Sequence, residues 1–359
     1  MQTSDPFIAL PPHQDTPAAW YGPDMAARTD WIELLSDTEL DELESASASL
    51  CAQQSNLAQL RAEDQPLPTL APRLRRILFE VLDGRGFALI RGLPVERWGV
   101  HRSAAAFMLL GAYLGRTRPQ NARGHVLGHV KDMGLNSSDP AVRIYQTNER
   151  QTFHTDSCDI VGLLCLQSAR SGGQSALVSS TTLFNEMRRC RPDLAALLFQ
   201  PLATDRRGEV APGQAPFFSI PVFNWWPRGD AGQLSAIYQR QYIDSAQRFA
   251  DAPRLTDGIR DALDLLDTLT NDPALHFLMG LRPGDVQLVH NHTLLHDRTA
   301  FEDWPEPERR RHLLRLWLAP HEARPLPPVF AQRYGNVAPG ERGGVCVPAT
   351  RLHAPLDAQ

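Results

Sequence analysis

The sequence has no apolar run approaching the roughly 18 residues that a membrane-spanning helix requires. It also has no stripe of Lys or Arg suited to nucleic acid; the densest basic cluster is Arg309, Arg310 and Arg311. The formal charge is −5, which offers no electrostatic footprint for a polyanionic polymer. Its five cysteines, Cys51, Cys158, Cys165, Cys190 and Cys346, are odd in number, scattered and without a CxxC pair. That pattern fits reduced thiols in a cytoplasm and argues against a disulfide framework or a structural zinc site. The first residues, MQTSDPFIALPPHQD, lack the basic start and apolar stretch of a signal peptide, so the default expectation is a cytoplasmic protein. No internal repeat is visible.

What is present is an ordinary globular composition, 42% hydrophobic and 21% charged over 359 residues. That length can bury a sizeable core. Residues 1–30 are Pro-rich and aperiodic and read as a surface arm. Ser36-Asp-Thr-Glu39 is a capping box opening a helix to about Leu50. Further helices are expected at 71–83, ending at Gly84 and Gly86, and at 102–114, which is apolar nearly all round and therefore buried. A short strand at 87–90 separates them.

Residues 31–140 are thus mainly helical, and 141–320 are β-rich. Strands are expected at 143–147, 160–167, 176–179, 217–223, 274–279, 285–290 and 311–318. A helical insertion falls near 234–270, as helices at 234–250 and 256–269 with Thr256 as N-cap and Pro253 closing the first. Residues 321–359 form a C-terminal extension. Many short strands with a few helices predict a β-rich α+β chain: a double-stranded β-helix, or jelly roll, with flanking and inserted helices. Inward side chains of different strands then meet in one cavity.

Phe153-His154-Thr155-Asp156 is the sharpest local feature. Residues i and i+2 of a strand share a face, so His154 and Asp156 can present an imidazole and a carboxylate to one ion. The stretch HNHTLLH, 290–296, offers further histidines. Two histidines and a carboxylate on one side of an ion leave positions open, as in non-haem iron(II) oxygenases. An HxD tripeptide arises by chance in many chains, and its plain reading is a surface histidine near an aspartate. His292 and His296 would make a zinc pair if helical, but no Glu follows the first His as in a metalloprotease.

The order of four blocks goes further. FHTDSCD (153–159), SARSGGQS (168–175), RPGDVQLVHNHTLLHDRTAF (282–301) and RRHLLRLWL (310–318) resemble the TauD/TfdA family of 2-oxoglutarate-dependent dioxygenases. The resemblance implies iron(II) on His154, Asp156 and His296, with 2-oxoglutarate and O2 as cosubstrates. It leaves His290 and His292 as hydrogen-bonded barrel residues. Ser175 stands where the family has a Thr that helps bind 2-oxoglutarate, and keeps the hydroxyl. Arg311 aligns with the Arg that grips the distal carboxylate, a task suited to a bidentate guanidinium. Arg315, four residues on, faces the same cavity and in relatives grips an acidic substrate; on sequence alone the two roles are exchangeable. The carboxylate at Asp156 argues against halogenation, leaving hydroxylation, desaturation or ring closure.

Tyr145, Asn148, Asp159 and Arg206 are further candidates for substrate contact, with Gln146 and Tyr238 beside them. Asp159 would meet a substrate amine. Residues 205–209 read either as a solvated turn or as a lid. Trp225 and Trp226 read as lid packing or core. The expected partner is a small anionic molecule such as an amino acid or other carboxylate. The 234–270 helices are the natural candidates for a homo-oligomer contact. Two other readings keep the same barrel: a metal-dependent hydrolase or isomerase, which would not need Ser175 and Arg311, and an inactive carboxylate-binding protein.

Overall fold

A computed structural model describes residues 10–136, 142–210, 213–228, 231–347 and 350–358. Its strands are β1 Ile32–Leu34, β2 Phe87–Arg91, β3 Arg116–Thr117, β4 Leu127–Lys131, β5 Gln151–His154, β6 Ile160–Gln167, β7 Ser175–Ser179, β8 His276–Met279, β9 Val286–His290, β10 Leu294–Arg298 and β11 His312–Ala319. Shorter hairpins lie between them. The seven-stranded sheet runs β1-β2-β9-β6-β11-β3, with β4 also on β11. The four-stranded sheet runs β8-β7-β10-β5. The two sheets form the jelly roll.

Period-two alternation places the site. On β11, Leu313, Arg315 and Trp317 point between the sheets, while Leu314, Leu316 and Leu318 point outward into a helical layer. On β6, Val161 and Leu163 face inward and Ile160 and Leu164 outward. The outer layer is α1 Asp37–Ala52, α2 Ala71–Leu82 and α3 Val95–Leu114. Ser36 caps α1 through the Glu39 amide, and Glu39 answers back, completing the capping box. α3 begins earlier than its apolar core implies and kinks at Gly99 (φ 70°). Its run from Ser103 to Leu110 is buried on every side, as expected for a helix between sheet and outer helices. The second sheet packs against α4 Ser180–Cys190 and α5 Asp257–Thr270, the latter capped by Thr256.

Four expectations need correction. Residues 10–30 are not a surface arm: Ala18, Trp20 and Met25 are buried, and Trp20 stacks edge-on to Phe87 and Phe277. Residues 1–9 lie outside the described residues. Residues 143–147 are not a strand; Ile144–Gln146 is a single 3-10 turn, and the strand begins at Gln151. The 217–223 strand is two, Phe217–Ile220 and Phe223–Arg228, broken at Pro221, which has no amide hydrogen to offer a ladder. The insertion near 234–270 is helical only in part. Ala231–Ala236 is a strand paired with Phe223–Arg228, and the helix is Arg240–Ala246, so it ends well before Pro253. LSAIY allows either period, and the neighbouring strand decided it. All five cysteines are free, with Cys158 and Cys165 buried. No described helix is long and apolar enough to cross a membrane.

Candidate metal centre

β5 and β10 are antiparallel neighbours, with His154 directly opposite His296. Asp156 follows His154 by two residues and turns back toward both. The result is a cluster of one carboxylate and two imidazoles whose ligand atoms lie within 4.8 Å of one another. Each imidazole Nε2 is 3.9 Å from an oxygen of Asp156. Those gaps are too long for hydrogen bonds, so the three groups face a common point without satisfying each other.

The surroundings fix each donor. His154 Nδ1 lies 2.8 Å from the Thr152 carbonyl, which holds the proton on Nδ1 and leaves Nε2 with a lone pair. Burial lowers the pKa of His154 and pushes that of His296 down to about 3, so both rings are neutral at pH 7. Burial alone would raise the pKa of Asp156. Arg315, the two histidines and the Trp317 indole outweigh it, and the net shift is downward. Trp317 Nε1 donates to Asp156 Oδ2 at 2.9 Å, and the Asn291 amide oxygen accepts from the Asp156 backbone N–H at 2.8 Å. Neutral imidazoles and an ionised carboxylate are the donor set of a divalent-metal site.

Two cavities meet at this cluster. The inner one, about 490 Å³, has walls of Val130, Val161, Leu163, Leu281 and Leu313 and ends in Ser175, Arg298 and Arg311. Arg311 Nη1 and Arg298 Nε and Nη1 are buried with no hydrogen-bond partner. Burial lowers both guanidinium pKa values to about 10, and each guanidinium sits near the Phe301 ring at 5.0–5.1 Å. The Gly172-Gly173 pair lets Arg311 through: Gly173 has φ 66°, and a Cβ there would stand 2.9 Å from Arg311 Nε. Ser175 Oγ donates to Gln287 at 3.0 Å and lines the same cavity. Unpaired buried guanidiniums are costly, and a carboxylate reaching this end would satisfy them.

The outer cavity, about 890 Å³, is more polar. Its wall includes Gln120, Arg143, Tyr145, Glu209, Phe218, Tyr238, Tyr242, Arg315, Trp317 and Arg333. Arg315 belongs to both cavities. Its Nε donates to Gln120 at 2.7 Å and its Nη1 is 3.6 Å from Asp156 Oδ2.

The structure thus brings together His154, Asp156, His296, Ser175, Arg311, Arg315 and Tyr145. Three sequence candidates fall elsewhere. Asp159 is fully buried outside both cavities, held by Arg342 at 2.6 Å and His292 at 2.9 Å, so it has no access to a substrate amine. Asn148 is exposed and outside both cavities; its carbonyl accepts from the Phe301 amide. Arg206 lies behind the outer cavity and donates to the Gln332 carbonyl at 2.6 Å. Gln146 caps its own turn, and Tyr238 lines the outer cavity while donating to Asp267 at 2.5 Å. The 205–209 turn is anchored by the buried Asp205 and offers Glu209 to the cavity. Trp225 is partly buried against the second core. His290 and His292 are hydrogen-bonded barrel residues.

Sequence reasoning missed Arg298, Gln151, Arg143, Tyr242 and Arg333, and reached Glu209 only within the 205–209 segment read as a turn or lid. Arg298 was detectable, because it stands two residues after His296 on one strand and so shares its face. Gln151 opens β5 itself, and the others come from turns, short helices and insertions.

The family model of the taurine catabolism dioxygenase TauD, TfdA family matches residues 53–317. FR-33289 synthase of Streptomyces rubellomurinus is 30% identical over 318 residues, 86% of this chain and 91% of that protein. A uridine-5'-phosphate dioxygenase of an Amycolatopsis species is 33% identical over 182 residues, 49% of this chain and 63% of that protein. Among solved structures, asparagine oxygenase with Fe(II), 3-hydroxyasparagine and succinate superposes with a TM-score of 0.60 at 19% identity, over 80% of this chain and 93% of that one. The non-haem iron oxygenase OrfP with Fe and alpha-ketoglutaric acid gives 0.60 at 16% identity with the same coverage. At those identities the superpositions speak for the fold.

Proposed function

The chain belongs to the TauD, TfdA family of dioxygenases, and from that premise we propose an iron(II)- and 2-oxoglutarate-dependent oxygenase that hydroxylates a C–H bond of a small anionic substrate. The observation that carries this reading is the inner cavity, which joins His154, Asp156 and His296 at one end to the unpaired Arg311 at the other. Iron(II) and 2-oxoglutarate would supply O2 activation: one oxygen atom goes to the substrate as hydroxyl, the other to succinate, and CO2 is released.

The protein's part is positional. His154 and His296 would offer neutral Nε2 atoms, and Asp156 a carboxylate steadied by Trp317. Arg311 and Ser175 would take the distal carboxylate of 2-oxoglutarate, with Arg298 beside them. The apolar side walls keep water from the acid's methylene chain and strengthen the charge contacts at its end. Arg315 stands at the boundary, so it would orient the substrate rather than the cosubstrate. Tyr145 lies under the Arg315 guanidinium at 4.6 Å and fixes its direction. The names of the relatives cover an amino acid and a nucleotide phosphate, each of which carries an anionic group. Arg333, from the segment after the barrel, adds wall to the outer cavity, which supports reading the chain as one catalytic unit.

The test is succinate formation from 2-oxoglutarate. It should require iron(II) and O2 and fall to background in His154→Ala. Turnover of small acids without 2-oxoglutarate would point instead to a metal-dependent hydrolase or isomerase.

A further inference from the structure

We propose that the substrate carries a doubly ionised phosphoryl group, a phosphate ester or phosphonate, and that Arg333 with Arg143 and Tyr242 binds it in the outer cavity. The inference rests on reading this cavity as the substrate site. Arg333 lies on the short helix Ala331–Tyr334, beyond residue 317, where the family match ends. Its Nε donates to Ser157 Oγ at 2.7 Å, next to Asp156, and no described residue makes a hydrogen bond to its terminal nitrogens. Among the described residues no carboxylate pairs with it.

Its position is built. Arg206 holds the adjacent Gln332 carbonyl. The following segment is locked by Arg342, fully buried, which donates to Asp159, to the Val337 carbonyl and to the Arg324 carbonyl. A flexible surface arginine would not need such anchoring. Opposite stands Arg143, with Nη2 on the Arg207 carbonyl at 3.0 Å, a 3.1 Å ion pair to Glu209, and a buried Nη1 that has no partner. The Tyr242 phenol lies within the field of both arginines and lines the same cavity.

The charge pattern selects the ligand class. Arg143 is matched by Glu209, and Arg315 leans on Asp156. Arg143 keeps Nη1 without a partner beyond its pair with Glu209, and Arg333 has no carboxylate partner among the described residues. A group of one negative charge, carboxylate or sulfonate, would answer one guanidinium. A phosphate monoester carries about −1.5 to −2 at pH 7, a phosphonate reaches the same charge once the two guanidiniums favour its dianion, and each has three acceptor oxygens, enough for two forks and a phenol.

The measurement is calorimetric titration of the metal-free full-length protein with propylphosphonate, propanesulfonate and butyrate at matched ionic strength and at pH 9, where the phosphonate is doubly ionised. The phosphonate should bind at least tenfold more tightly than either control. Arg333→Gln should remove that advantage, Arg333→Lys should restore part of it, and the melting curves should stay unchanged because the side chain is only half-buried. If Arg333→Gln fails to fold, Tyr242→Phe supplies the same comparison with an expected severalfold loss. Equal binding of the three probes, no saturable phosphonate binding, or wild-type affinity in Arg333→Gln would overturn the proposal. Because neither iron nor 2-oxoglutarate is present, a negative result here is separate from failure of the oxygenase reading, which shows in succinate formation.

Discussion

The inner and outer cavities share His154, Asp156 and Arg315 but differ in how their other arginines are held. In the inner cavity Arg298 and Arg311 are buried between apolar walls with idle nitrogens. In the outer cavity Arg143 is tied to Glu209 and a carbonyl with Nη1 left over, and Arg333 is held through Nε by Ser157. An invariant cosubstrate suits the first arrangement, since unpaired charge waits for one ligand of fixed length. A substrate that differs between relatives suits the second, where charge is carried on loops and insertions that can change without disturbing the barrel.

The contrast can be broken at its hinge. Asp156→Ala removes the group common to both cavities and should abolish iron binding and succinate formation while the fold persists, read by metal content and circular dichroism. Normal iron content in that variant would remove the metal assignment. Next in size is the anchor of the outer wall. Arg342→Ala leaves the buried Asp159 carboxylate with His292 alone and should cost about 3–5 kcal/mol of stability by denaturant unfolding. Arg311→Ala should act on the inner cavity alone, weakening 2-oxoglutarate binding by about 10- to 100-fold, the worth of one or two charged hydrogen bonds. If it weakened only the prime substrate, the roles of Arg311 and Arg315 would be exchanged. Trp317→Phe, which drops the hydrogen bond to Asp156, should lower iron affinity by roughly 10-fold.

The smallest effect concerns the scaffold around both cavities. Burial holds His290 well below its ordinary pKa and pushes His312 down to about 3. Both are neutral in the fold, and the unfolded chain takes their protons near pH 6.5. Their contribution is therefore complete above about pH 6.5 and declines as pH falls toward 3. Melting temperatures should drop from pH 7.5 to pH 5; a rise would contradict that sign.

The same contrast explains how far the sequence could be read. Ser175, His296 and Arg315 sit on regular strands, with Arg311 one residue before β11, all within contiguous motifs where period two assigns faces. β6, β7, β8, β9 and β11 fall close to their expected positions for the same reason. The outer cavity is assembled by Arg143 from a 3-10 turn, Glu209 from a hairpin turn, Tyr242 from a short helix and Arg333 from the segment after the barrel. Of these only Tyr242 falls in a stretch of helical spacing, and their meeting depends on tertiary packing. Asp159 shows the converse error. Within FHTDSCD it reads as a site residue, but the strand turns it away to a partner, Arg342, 183 positions later. The mis-assigned helix at 234–236 failed because its short apolar pattern fits either period and a neighbouring strand settled it.

The most direct test of the central claim is an anaerobic titration of the metal-free protein with iron(II) and then 2-oxoglutarate, following the visible charge-transfer absorption of the chelate. The account predicts a band that appears only when both are present, is lost in Asp156→Ala, and needs much more 2-oxoglutarate in Arg311→Ala. Iron binding without any band on adding 2-oxoglutarate would contradict it.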